Sequence, residues 1–250
     1  MKTLIIEALH TRVTLAFASP GRVYASKSYD CDVMSDAREC VRAFLSETKK
    51  PLRIKIPCIV VAHSGRSAVR FAKLPRLKKS EIREASGELF AKYFPKLIQI
   101  GGYVFGAQKI FEDTHTHFAL AAIPEEIPRM WISACDDCGL ALIALRNYEV
   151  CLGVHNASQQ EDHTIIIAGP AGGAINVLFL RNGAFEESRR ISADKIVGAR
   201  ELKLCLAFSK PEKAILYNGL ERGWLPKALR ELGIKPEPAQ DALDYLHTVW

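Results

Sequence analysis

Apolar and polar positions along the chain fall into short blocks, most of them too short or too evenly apolar for anything but buried strands. The longest block runs from Thr164 to Leu180 and carries no charge. It is cut by Gly169, Pro170, Gly172 and Gly173, so it predicts strand, glycine turn and strand rather than one long helix. Arg181-Asn182-Gly183 follows, and Asn-Gly is a strong hairpin signal because both residues accept positive φ. Ala184 to Ile191 is then the returning strand. The N-terminus repeats the plan. Leu4-Ile5-Ile6 predicts a strand, Ala8 to Thr11 an irregular piece, Val13 to Ala18 a second strand. Pro20-Gly21 turns into a third, Arg22 to Ser28.

Between these meanders the period lengthens. Ser35 caps a predicted helix to Glu47, with Ala37, Cys40, Val41, Phe44 and Leu45 on one face. Ile56 to Ala62 reads as a buried strand and His63 to Arg66 as a turn. Ser67 to Leu74 alternates like a strand. Ser80 would cap a helix ending at Tyr93-Phe94-Pro95, with Glu81 and Glu84 in its first turn. Gly87 inside that helix suggests close packing, since it costs about 1 kcal/mol relative to Ala. Gln99 to Gln108 and Thr114 to Ile123 read as an antiparallel pair. Glu125 to Cys138 is a helix stopped by Gly139, Leu140 to Leu145 a short strand, and Tyr148 to His155 a short helix. Asn156 to Asp162 is the best linker. Ser192 to Ala207 predicts a helix with Ile196, Leu202, Leu204 and Leu206 among its apolar residues. Ala214 to Tyr217 predicts a strand, Asn218-Gly219 a turn, and Trp224 to Leu232 a helix capped by Gly233. Asp241 to Trp250 fits a final helix.

Two meanders, one per half, indicate a duplicated α/β architecture. The motif Leu74-Pro75-Arg76-Leu77, an acidic helix with Glu81, Glu84 and Glu88, then Lys92-Tyr93-Phe94-Pro95, is similar to the inserted subdomain of PilM-like proteins. The chain therefore resembles the actin-like ATPase superfamily, and within it the PilM and GspL group of type IV pilus and type II secretion platforms. That resemblance implies an actin-like (ribonuclease H-like) duplicated fold with an inserted α+β subdomain and a reduced second half. Its subdomains would be 1-65 with 140-158, 66-139, and 159-250.

Nucleotide chemistry in the superfamily needs two acidic, glycine-containing hairpins whose amides hold phosphate and whose carboxylates hold Mg²⁺. The resemblance puts Glu7 at the first acidic position, Leu9 where a glycine would stand, and Thr14 at a polar position. The second hairpin puts Ala168 or Gly169 at the acidic position. It keeps Gly172 and Gly173, but no carboxylate occurs between Asp162 and Glu186. The adenosine-side motif keeps Gly219. Glu7, Gly172, Gly173 and Gly219 are thus the remnant of a nucleotide pocket, with no catalytic residue and no cofactor expected.

With 250 residues and 48% hydrophobic positions, the chain can bury a proper core. The net charge of +6 is uneven. Residues 49 to 96 hold 13 Lys or Arg against 3 Glu, while the remainder sums to −4. A surface of this kind suits an acidic partner or an anionic membrane leaflet. Nucleic acid is not expected, because Phe71, Phe90, Tyr93 and Phe94 fit core positions better than stacking platforms. Arg76, Lys78, Lys79 and Arg83 are the candidate partner-binding residues. Seven cysteines without a leader or spanning segment suggest a reducing, cytoplasmic compartment.

Cys135-Asp136-Asp137-Cys138 sits at a helix C-terminus beside two carboxylates, the wrong place for a low-pKa redox thiol. His115 and His117 share a strand face but their spacing to the cysteines is not that of a zinc site. No metal is expected there. Ser64 beside His63 lacks a third group and an oxyanion site. The resemblance to the PilM and GspL group thus implies a non-catalytic scaffold, peripheral to the inner membrane. It would bind a membrane-anchored platform protein or the secretion ATPase, and could form a homo-oligomer. The alternative is an actin-like ATPase or sugar-kinase-like phosphotransferase.

Overall fold

A computed structural model describes residues 3–20, 22–48, 55–157, 164–171, 173–181, 184–207, 209, 211–217 and 220–239. Contacts divide the chain into two compact units, Met1–Val150 and Cys151–Trp250.

The first unit opens with β1 (Thr3–Leu9), β2 (Arg12–Ser19) and β3 (Arg22–Asp30), an antiparallel meander. α1 (Val33–Glu47) follows, then β4 (Ile56–Ala62). After an inserted segment come α4 (Glu126–Asp137), β8 (Leu140–Asn147) and the start of α5 (Tyr148–Ala157). β4 pairs parallel to β1, and β8 pairs parallel to β4. The resulting sheet has the order β3-β2-β1-β4-β8. Its centre is continuous apolar strand: every residue of β1 is buried, as expected for strands covered on both faces.

The insert contains β5 (Ala68–Pro75), α2 (Lys79–Tyr93), α3 (Pro95–Ile100), β6 (Tyr103–Glu112) and β7 (His115–Pro124). Its antiparallel sheet has the order β5-β7-β6. It has a core of its own around Phe94, Phe118, Leu120 and Leu89, with the Phe90 and Phe105 rings 5.5 Å apart.

The second unit repeats the first sheet. β9 (Thr164–Ala171), β10 (Ala174–Arg181) and β11 (Ala184–Ser192) form the meander. α6 (Lys195–Leu206), β12 (Lys213–Leu216), a 3-10 turn at Leu220–Arg222, α7 (Leu225–Glu231) and β13 (Lys235–Pro238) follow. The order β11-β10-β9-β12-β13, with β12 parallel to β9 and β13 parallel to β12, reproduces β3-β2-β1-β4-β8. One core joins Ile165, Ile167, Val177 and Ile191 of the sheet to Leu202, Leu206, Leu225 and Leu229 of α6 and α7.

Several elements differ from the sequence-based expectation. Ala8 and Leu9 are not irregular but continue β1 to a two-residue turn at His10-Thr11, because Leu9 pairs with Arg12. α1 is capped by Asp32, whose carboxylate accepts from Met34 N–H at 2.8 Å, not by Ser35. Ser80 lies inside α2. The helix start is instead tied by Glu81, which accepts from Lys78 N–H at 2.8 Å. Gly87 is not closely packed: a Cβ there would meet nothing within 4 Å. α3 takes up Gln99 and Ile100, which the strand pattern had claimed, since Pro95 at a helix N-terminus starts a new helix. β13 has two prolines, tolerable because it is a sheet edge. Ile196 and Leu204 of α6 face solvent, at 82% and 63% exposure, rather than the core. The turn at Asn182-Gly183, Gly172, Gly219 and the tail Asp241 to Trp250 lie outside the described residues.

Candidate functional site

The C-terminal ends of parallel strands are where open α/β sheets hold their chemistry. In the first unit β1, β4 and β8 bring Glu7, His63 and Asn147 to such ends, and α5 adds Tyr148 and Glu149. All five are buried. His63 Nδ1 lies 3.9 Å from Glu149 Oε1, and the His63 ring stands edge-on to Tyr148 with centroids 6.0 Å apart. Asn147 caps α5: its Oδ1 accepts from Val150 N–H at 3.1 Å.

Glu7 is 1% exposed and sits in register between Thr14 on β2 and Val61 on β4. Thr14 Oγ1 is 3.0 Å from Ser28 Oγ. Around this hairpin the backbone is already committed. His63 N–H donates to Ala8 O at 2.9 Å, and Cys31 N–H to Thr11 O at 3.0 Å. Leu9 is a buried strand residue, so it is the two-residue turn, more than the Leu9 side chain, that leaves no open loop of amides for a phosphate. In the second unit Ala168 and Gly169 are buried strand residues. Gly173 has φ 81°, the left-handed region that favours glycine.

Beside the first hairpin lies a cavity of about 220 Å³, lined by Ala8, His10, Val33, His63, Ile127 and Trp131 among others. Trp131 is fully buried, and its indole N–H has no hydrogen-bond partner among the described residues. Arg66 and Glu126 form an ion pair at its rim.

A second cavity, of about 280 Å³, lies between the β6–β7 face of the insert and β8. Its walls are largely apolar, with Val104, Phe105, Ala121, Ile123 and Leu145. Two donors line it from β8: Arg146 Nε and Asn147 Nδ2 are buried and have no partner among the described residues. Both β6 and β8 are edge strands of their sheets, so each has unpaired backbone groups to offer. Nothing in the sequence reading singled out this cleft or the His63–Glu149 pair. For the cleft there was a signal, the abrupt polar end Arg146-Asn147 of the apolar run LALIAL. Nothing in spacing could have joined His63 to Glu149.

The expected partner-binding residues fall at the junction of β5 and α2. Arg76 and Lys78 are exposed. Arg76 Nε also donates to Asp113 O at 2.7 Å, which ties it to the β6–β7 turn. Lys79 and Arg83 lie in the first turns of α2.

The CxxC cysteines do not face each other. Cys135 Sγ lies 4.0 Å from Cys58 Sγ, while Cys138 Sγ approaches Arg38 O at 3.8 Å. Contact with Cys135 and burial hold the Cys58 thiol far above its ordinary range, and burial pushes Cys138 up. His117 Nε2 contacts Asp113 Oδ1 at 3.3 Å. Among the described residues no three His, Cys, Asp or Glu side chains converge as metal ligands, and no helix is long and apolar enough to cross a membrane.

No protein-family model matches this chain, and no curated protein matches it. Solved structures do. A PilM-PilN type IV pilus biogenesis complex superposes at a TM-score of 0.73 with 16% identity, over 98% of this chain and 90% of that one. A Bacteroides thetaiotaomicron protein with an actin-like ATPase fold gives 0.65 at 10% identity, covering 100% and 96%. The cytoplasmic domain of EpsL, an inner-membrane component of the Vibrio cholerae type II secretion system, gives 0.56 at 11%, covering 99% and 94%. The duplicated five-stranded sheets, the insert between β4 and β8 and these superpositions together establish that the chain has the actin-like ATPase fold, with pilus and secretion proteins among its structural neighbours.

Proposed function

We propose that this protein is a non-catalytic actin-like scaffold of a type IV pilus or type II secretion platform. It binds the cytoplasmic part of a membrane-anchored partner, or the secretion ATPase, through the insert at residues 66 to 139. The observation that carries the reading is the apolar cleft between β6 and β8 with two buried donors, Arg146 Nε and Asn147 Nδ2, that have no partner among the described residues. Buried donors without acceptors are costly, and an extended peptide supplies what they lack: carbonyl oxygens along its backbone and apolar side chains for the walls. One superposed structure is a PilM-PilN type IV pilus biogenesis complex, and another is the cytoplasmic domain of EpsL, an inner-membrane component of a type II secretion system. The basic positions Arg76, Lys78, Lys79 and Arg83, at the junction of β5 and α2, would suit an acidic stretch of such a partner. The closed first hairpin and the lack of a carboxylate in the second support a role without phosphoryl transfer.

The alternative, an actin-like ATPase or sugar-kinase-like phosphotransferase, draws on one observation. Glu7 on β1, His63 just after β4 and Glu149 at the start of α5 are buried at the C-terminal ends of the parallel strands, where a reacting group would have to sit.

The test is calorimetry with synthetic peptides covering the cytoplasmic segments of platform proteins from the same genome. One such peptide is expected to bind. Val104→Asp at the cleft is expected to abolish that binding, while Arg76→Glu with Lys78→Glu weakens it. Val104 is 45% exposed, so the first variant should stay folded. Peptide binding that survives Val104→Asp would remove the cleft from the account.

A further inference from the structure

The outward face of α6 combines aliphatic residues and cations in a way the fold of the second unit does not require. The helix is fixed from below. Asp194 caps it, accepting from Ile196 and Val197 N–H at 2.9 Å each. Gly198, Leu202 and Leu206 are buried against the sheet. Glu201 is turned inward, where its Oε2 accepts from Ser192 N–H at 2.6 Å. On the other side Ile196 is 82% exposed, Leu204 63% and Val197 48%. Ile196, Arg200 and Leu204 follow one i, i+4 row, and Val197 stands at i, i+3 to Arg200. Lys195, Arg200 and Lys203 are exposed among them. The carboxylates of the helix and its cap, Glu201 and Asp194, are engaged by backbone N–H groups.

The geometry points to α6 as a docking face for an anionic lipid surface. Aliphatic side chains projecting from a rigid helix, with cations interleaved rather than gathered at one end, suit a helix lying in the plane of a membrane interface. The long stems of Lys195, Arg200 and Lys203 let the aliphatic groups sink while the charges stay at the level of the phosphates. Attraction to an anionic leaflet acts within about a Debye length, ~8 Å at physiological salt, which a face carried on an outer helix can reach. A second copy of this chain is a poor occupant, because two such faces would oppose cation to cation. The inference stands on α6 alone and does not depend on the cleft between β6 and β8.

The experiment is sedimentation with vesicles of phosphatidylglycerol and phosphatidylethanolamine, against vesicles of phosphatidylcholine. The parent chain is expected to sediment with the anionic vesicles only and to be released by high salt. Two variants, Ile196→Ser with Leu204→Ser, and Lys195→Gln with Arg200→Gln and Lys203→Gln, are each expected to lower the affinity about tenfold or more. Circular dichroism checks that both are folded. As a second readout, Leu204→Trp should shift its emission to the blue on anionic vesicles. Failure of the parent to sediment overturns the inference. So does equal binding of the variants, or loss of binding on Arg76→Glu with Lys78→Glu while both α6 variants bind as before. An acidic amphipathic peptide that binds α6 in the absence of any vesicle binding would also overturn it and make the face a protein interface.

Discussion

Gly198→Ala is expected to destabilise the second unit even though alanine is the better helix former. A Cβ at position 198 would lie 2.2 Å from Ser192 O, and 2.8 and 3.0 Å from two carbons of the Trp224 ring. Carbon contacts are comfortable near 3.5 Å and beyond, so something must move by about 1 Å. Neither obstacle is free to do so. Ser192 ends β11 and its N–H is held by Glu201. Trp224 donates its indole N–H to Ala193 O at 3.1 Å. Overpacking of this kind costs about 1–3 kcal/mol, and losing the indole hydrogen bond adds about 1 kcal/mol. Helix propensity returns about 1 kcal/mol. The net expectation is a loss of about 2 kcal/mol. Gly87→Ala on α2 is the control, since nothing lies within 4 Å of its Cβ. It should gain about 0.5–1 kcal/mol from propensity and a stiffer unfolded chain. Urea titrations followed by circular dichroism and tryptophan fluorescence measure both. A Gly198→Ala midpoint at or above the parent's would refute the close approach of α6 to β11.

The chain is expected not to release phosphate from Mg-ATP and to bind it weakly at best, by calorimetry. Low-micromolar binding, or turnover abolished by Glu7→Ala, would promote the phosphotransferase alternative. The Cys31 thiol should react slowly with a disulfide reagent at neutral pH. Cys31 is pushed up to about 12 by burial and by Cys40, whose Sγ is 3.3 Å away, and thiolate is the reactive form; rapid modification of Cys31 at pH 7 would contradict this. Lys213, then Lys235, hold the Glu237 carboxyl below its ordinary range. That stabilisation is present above the ordinary carboxylate pKa and lost as pH falls through the lowered one. The stability gap between the parent and Glu237→Gln should therefore close in acid, and should be small throughout because the ion pairs are open to solvent on the lysine side.

The sheets were legible because their strands are short, apolar and punctuated: β4 runs from Ile56 to Ala62 as its pattern predicts, and β9 to β11 follow their glycines. What remained hidden depends on neighbours remote in sequence. Apolar spacing along α6 cannot say which side meets the sheet. Gly198 decides that, because only a residue without a side chain fits beneath Trp224 and Ser192, and Ile196 is thereby turned outward. The prolines of β13 argue against a strand until its place at the sheet edge is known. At the site, Glu7 was singled out by the family resemblance, but its buried surroundings and the pairing of His63 with Glu149 arise only when β4 and α5 are brought together.

The strand order of the first unit also constrains how the chain is made. β4 receives its second neighbour, β8, only after the whole segment from His63 to Gly139 has been synthesised. Until then a strand whose last five residues are buried in the finished fold stands at an open edge, a template for pairing with other chains. In the second unit the strands after the meander arrive sooner, β12 beginning at Lys213 and β13 at Lys235. A nascent chain that stalls before Leu140 is therefore the one most exposed to self-association.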